Sequence, residues 1–205
     1  EIYRAGADIV TSGNHIWDQK EIVSFIDDEP FLIRPANYPE GAPGKGYCIY
    51  PFKAKNIGVI NVSGRTFMPP MDCPFQKVDE ILKEIKNQCD IILVDIHAEA
   101  TSEKIAMGFY LDGKVTCVVG THTHVQTADN RILPKGTAYI SDLGMVGPYN
   151  SSLGINVNNA IDKFITCRPV RFEMAEGPNI FSAVVLELAE DNSVKSFERI
   201  LFNEE

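Results

Sequence analysis

No apolar run in the 205 residues approaches the roughly 18 needed to cross a bilayer as a helix. Five cysteines, Cys48, Cys73, Cys89, Cys117 and Cys167, lie scattered without a Cys-x-x-Cys or other zinc-like spacing. Neither a disulfide framework nor a cysteine metal site is indicated. They read as free thiols of a reducing compartment, and the expected location is cytoplasmic. Positive charge is short: 19 Lys and Arg stand against 28 Asp and Glu, a net charge of −9 at pH 7. Such a surface disfavours long nucleic acids and anionic membranes. It still admits a small phosphate ester if metal cations line the site. No secretory leader, repeat or low-complexity tract is visible.

Histidine is scarce too, at four residues, yet each one follows a short apolar run. Ala7-Asp8-Ile9-Val10 leads to Asn14-His15, and Ile91-Ile92-Leu93-Val94-Asp95-Ile96 leads to His97. Val115-Thr116-Cys117-Val118-Val119 leads to Gly120-Thr121-His122-Thr123-His124. Side chains two apart on extended chain point the same way, so His122 and His124 are expected side by side. Sites in α/β sheets gather beyond the carboxyl ends of strands. A lone histidine is usually a packing or surface residue. Three strand ends that together hold every histidine point to one metal-binding rim. Imidazole with an Asn oxygen suits Mn, Fe, Zn or Co. Two such ions about 3.5–4 Å apart clamp the attacking and leaving oxygens of a phosphoryl displacement. That pair needs a bridging carboxylate; Asp95 is a candidate, with a structural strand-end role as the alternative.

Hydrophobic residues make up 44% and charged residues 23%, as in an ordinary soluble core, and the length suits one domain over residues 1–205. Strands are expected at 7–11, 47–50, 57–62, 91–96, 115–119, 138–142, 170–174, 181–188 and 194–202. Helices are expected at 17–27, at 78–85, and from a cap at Thr101 or Ser102 to Tyr110. The breaker-rich stretches 34–46 and 144–154 read as loops. Helices interleave with strands early and strands dominate late, which suggests two sheets face to face with helices outside. Glu1 to Asp8 reads as the tail of a helix stopping at Gly6, so a preceding segment is expected.

The motifs carry a family resemblance. Gly13-Asn14-His15, Asp95-Ile96-His97-Ala98-Glu99-Ala100 and Gly120-Thr121-His122-Thr123-His124 resemble the last three motifs of calcineurin-like metallophosphoesterases. Arg34-Pro35-Ala36-Asn37, Gly64-Arg65-Thr66-Phe67, Ala98 through Lys104 and Thr121 through Asp129 are similar to the YmdB-like subgroup, which contains metal-dependent 2′,3′-cyclic-nucleotide phosphodiesterases. The resemblance implies an α/β fold, an αββα sandwich with two iron or manganese ions, zinc and cobalt being alternatives. It implies Asn14, His97 and His122 as ligands of one metal and His124 as a ligand of the other. His15 is implied as the general acid that protonates the leaving oxygen after in-line attack by a metal-bound hydroxide. Family members begin with a strand bearing an Asp ligand and a second bearing a bridging Glu and an adjacent Asn. Neither motif is among these residues, so an amino-terminally incomplete domain lacking its first strands is expected.

The expected partner is a cyclic nucleotide or related small phosphate ester. A homo-oligomer is compatible; long nucleic acid and membrane are not expected. Alternatives are a phosphomonoesterase of the same fold, or a non-catalytic metal-binding regulatory protein. Arg65 and Arg131 are candidates to grip phosphate, or ordinary loop residues. Glu99 and Glu103 flank the His97 motif and are candidates to orient ligands. Phe67, Tyr149 and Trp17 are candidates to line a nucleotide pocket, or core residues.

Overall fold

The computed structural model describes residues 1–204. The larger of its sheets grows from a hairpin, β3 (Tyr47–Phe52) and β4 (Lys55–Ser63). Parallel strands β5 (Ile91–His97), β6 (Cys117–Thr121) and β8 (Ala138–Ile140) follow, and β7 (Arg131–Ile132) closes the edge antiparallel to β8. The order is β3-β4-β5-β6-β8-β7. Helices α1 (Pro74–Ile85) and α2 (Thr101–Leu111) connect the parallel strands.

The two-residue period of a strand sorts the side chains. Ile60, Val62, Ile92, Val94, Ile96, Val118 and Tyr139 face the helices and join Val78, Ile81, Leu82, Ile85, Met107 and Leu111 in one core. In α1 those apolar residues recur at i, i+3, i+4 and i+7 behind Pro74 in the first turn. Each such burial contributes about 1.5–3 kcal/mol. The opposite face presents Cys117, Val119, Ala138 and Ile140 to Val184, Leu186, Val194 and Phe197 of a second sheet. That sheet comprises β9 (Val146–Pro148), β10 (Asn179–Leu188) and β11 (Val194–Asn203), ordered β11-β10-β9. Helices, sheet and sheet therefore stack as expected. A short parallel pair, β1 (Val10–Thr11) and β2 (Leu32–Ile33), forms a sheet of its own. It packs on the large sheet through Ile33 against Cys48 and Val59, and beside that contact an apolar cleft of about 570 Å³ has Thr11, Leu93, Asp95 and Val119 in its walls.

Several expectations are corrected. Residues 17–27 do not form a helix; Lys20–Ser24 and Ile26–Asp28 make short 3₁₀ turns. Only Ile26 of the expected apolar stripe is buried, and a short helix without a packed face is marginal. The strand at 7–11 shrinks to Val10–Thr11, and the one at 170–174 to a single bridge between Ile155 and Met174. The loop assigned to 144–154 contains β9, and helix α3 (Val157–Thr166) stands where no helix is expected. Ala160 is the only buried residue of α3. Neither Thr101 nor Ser102 caps α2; Ala100 occupies that position. The start of the chain is a 3₁₀ turn, Tyr3–Ala5, stopped by Gly6 at φ 106°. Among the described residues no helix is long and apolar enough to cross a membrane.

Candidate metal centre

His97 ends β5, and the parallel register sets Thr121 of β6 directly beside it. Thr121 Oγ1 lies 3.1 Å from His97 Nδ1 and donates to Asp95 Oδ1 at 2.8 Å. With its hydrogen committed to Asp95, the hydroxyl must accept from His97 Nδ1–H. Asp95 in turn takes a bond from Asn61 Nδ2 at 3.1 Å. The network thus assigns the tautomer, and His97 Nε2 carries a lone pair.

The loop after β1 lies over that ring. A Cβ on Gly13 would fall 2.3 Å from His97 Cε1, so only glycine passes there. The close approach brings Asn14 Oδ1 to 2.8 Å from His97 Nε2. From the other side comes His122, with Nδ1 3.1 Å from the same nitrogen. Its Nε2 stands 3.0 Å from Glu99 Oε2, which places the second ring's proton on Nε2 and leaves Nδ1 as a lone pair.

Three acceptors therefore converge with no hydrogen between them, an arrangement that calls for a cation. Bonds of about 2.1 Å hold neighbouring donors of a metal roughly 3 Å apart, close to the spacings observed. The backing groups also fit, since a ligating imidazole gives its other N–H to a carboxylate or similar acceptor. Burial, then the neighbouring His122 and Lys104, push His97 down to about 4, and burial lowers His122 as well. Both rings are held neutral, the form that binds metal. Among the described residues no cluster of three or more His, Cys, Asp or Glu side chains forms a cation site; the third donor here is an amide.

The other candidates are not hydrogen-bonded to the trio. Asp95 is nearly fully buried and touches the centre only through Thr121, which favours its structural role over a bridging one. Burial raises its carboxyl to about 6, against the hydroxyls of Thr11 and Thr121. His15 is exposed and pairs through Nδ1 with Asp18 Oδ2 at 2.9 Å. His124 is exposed beside the Leu153 carbonyl, 3.4 Å from Nδ1. The two loop histidines do not continue the extended strand. β6 runs two residues later than expected, and both leave it in left-handed backbone, φ 106° at His122 and 65° at His124.

Glu103 accepts the backbone N–H groups of Arg65 and Thr66 and so holds their loop. Arg131 spreads over the Phe109 and Tyr139 rings, and Trp17 packs edge-on against Tyr38. Phe67 is 89% exposed with φ 60°, and Tyr149 is half exposed. Sequence reasoning passes over Thr121 and Asn61. Thr121 lies inside the Gly120–His124 motif, but only register shows its hydroxyl joining His97 to Asp95.

Residues 1–200 match the YmdB-like protein family. The chain is 54% identical to a 2′,3′-cyclic-nucleotide 2′-phosphodiesterase of Bacillus subtilis over 206 residues, covering 100% of this chain and 78% of that protein. It superposes on the crystal structure of a hypothetical protein from Thermus thermophilus with a TM-score of 0.94 at 41% identity, covering 100% of this chain and 79% of that one. The crystal structure of a Mycoplasma pneumoniae protein described as a novel phosphatase gives a TM-score of 0.91 at 35% identity, covering 99% and 74%. Motifs, fold and relatives agree, and the chain belongs to the YmdB-like family.

Proposed function

We propose that this chain is the metal-dependent phosphodiesterase part of a protein acting on 2′,3′-cyclic nucleotides or related small phosphate esters. The observation that carries the reading is that the Asn14 Oδ1 and His122 Nδ1 lone pairs both approach His97 Nε2, at 2.8 and 3.1 Å. The named Bacillus relative supports the substrate class. Asn14, His97 and His122 would hold one ion, iron or manganese by the donor set, with zinc or cobalt as alternatives. His124 would serve a second. Bound there, such ions polarise phosphoryl oxygens and make water a nucleophile at neutral pH.

The chain's own residues supply the rest. Thr121 and Asp95 keep His97 in the right tautomer, and Glu99 does so for His122. His15 follows Asn14 directly and so sits at the rim. Asp18 accepts from its Nδ1–H, and in the imidazolium form Nε2–H would hand its proton to the leaving oxygen, leaving the neutral ring. General-acid help of this kind is worth about 10²–10⁴ in rate.

A phosphomonoesterase reading is favoured by one observation, the Mycoplasma structure described as a phosphatase. The exposed His124, bonded to the Leu153 carbonyl and not to the trio, favours a third, a regulatory protein that binds metal without turnover. One experiment separates them. Protein purified in Mn²⁺ is assayed on a bis-aryl phosphate, on 2′,3′-cyclic AMP and on a panel of 5′-nucleotides. The proposal expects diester hydrolysis that His122→Ala abolishes. Hydrolysis of monoesters alone supports the second reading, and Mn²⁺ uptake without hydrolysis the third. Full activity in His122→Ala contradicts the site.

A further inference from the structure

Below the centre lies a buried charge pair that touches none of the three donors. Lys104 of α2 and Asp142, two residues beyond β8, are each 1% exposed, with Nζ and Oδ2 2.7 Å apart. Apolar replacement of such pairs often leaves a protein as stable or more so, so stability alone does not explain it. One more bond is local, from the Gly144 N–H to Asp142 Oδ1 at 2.9 Å; the others point to the loop after β6. Asp142 Oδ2 accepts from the Thr123 backbone N–H at 3.0 Å and from the Thr123 hydroxyl at 2.7 Å. The Asp142 N–H donates to Thr127 Oγ1 at 2.9 Å, and the Thr127 N–H donates back to the Asp142 carbonyl at 3.1 Å.

Thr123 stands between His122 and His124, the two histidines with positive φ. Left-handed backbone is strained for a non-glycine residue and persists where the surroundings over-determine it. Here two such residues flank the one residue held through both backbone and side chain by a buried carboxylate. The lysine reaches that carboxylate past Gly120, where a Cβ would come 2.8 Å from Lys104 Cδ.

We infer that Lys104 and Asp142 are positioning residues for the metal centre: Lys104 fixes the Asp142 carboxylate, which clamps Thr123 and so keeps His122 Nδ1 facing His97 Nε2 and His124 turned out of the strand. The inference rests on the metal-centre reading of the trio. It differs from a merely structural role in what it moves. A structural pair changes melting temperature; a positioning pair changes metal affinity and turnover in protein that remains folded.

The test compares wild type, Thr123→Val, Thr123→Ser and the volume-conserving double variant Lys104→Met/Asp142→Leu. Each is examined by circular dichroism, by Mn²⁺ titration and by kcat and KM on a bis-aryl phosphate. Thr123→Val is expected to fold, to bind Mn²⁺ about 10–100-fold more weakly and to lose kcat by a similar factor, as losses behind a metal ligand do, with KM within roughly twofold. Thr123→Ser, which keeps the hydroxyl, restores both. The folded double variant behaves like Thr123→Val; if it fails to fold, Thr123→Val decides by the same readouts. Wild-type Mn²⁺ affinity and kcat in folded Thr123→Val overturn this inference alone. A wild-type chain that takes up no Mn²⁺ overturns the metal-centre reading and this inference with it.

Discussion

Burial and the adjacent imidazole hold His97 at about 4, well below the ~6.5 of an exposed ring. A folded value below the unfolded one means that neutral His97 contributes stability fully present above about pH 6.5 and lost as pH falls toward 4. Chelator-treated protein is therefore expected to lose melting temperature across that window, and His97→Asn to flatten the loss. An unchanged profile in the variant contradicts the assignment of a neutral, buried ring. At this scale much is legible in the sequence. Four histidines, each behind an apolar run, point to one rim, and Asn14, His97 and His122 of that rim come within hydrogen-bond distance of one another through His97. The arrangement of the protons is not legible. Asp95 invites a bridging role two residues from His97, and only the paired strands show Thr121 standing between them. His124 shares the same motif and lies outside the trio, because periodicity carries no sign of a left-handed turn at His122.

The end of β6 is where local chain geometry decides the site. A Cβ on Gly120 would sit 1.8 Å from the Ser141 carbonyl oxygen, and backbone held between paired strands cannot step aside. Gly120→Ala is expected to cost about 3 kcal/mol or more through overpacking. It should also disturb the Leu143 N–H bond to the Gly120 carbonyl, 2.9 Å long. Denaturant unfolding checks this, and an unmoved midpoint contradicts the packing argument. Elements with continuous apolar faces are readable from sequence: α1 from Val78, Ile81, Leu82 and Ile85, and the β10–β11 hairpin from its Asp191-Asn192 turn. The stretch 17–27 carries similar spacing but finds no surface to bury it. α3 escapes such reading although Asn156 caps it through a 3.0 Å bond from the Asn158 N–H. Its first turn holds two asparagines, weak helix formers, behind a glycine-containing loop, and its apolar residues Phe164 and Ile165 stay exposed.

Across the whole molecule the donors come from three separate stretches of chain: Asn14 after β1, His97 at the end of β5, His122 beyond β6. Layered sheets with helices outside are expected from the change of pattern along the chain, and the structural relatives at 35–41% identity share that arrangement. A strand is expected at 7–11, but its pairing with β2 is not foreseeable, because the two-residue β2 leaves no periodic trace. That pair carries Gly13 and Asn14 across to β5, so the centre exists only when separate sheets are docked. The most direct measurement is anomalous diffraction at the manganese edge from crystals of the protein grown with Mn²⁺. A peak is predicted about 2.0–2.2 Å from Asn14 Oδ1, His97 Nε2 and His122 Nδ1 together, the range of metal–nitrogen and metal–oxygen bonds. A well-ordered site with no peak there at saturating Mn²⁺, or a peak held by other residues, would contradict the metal-centre reading.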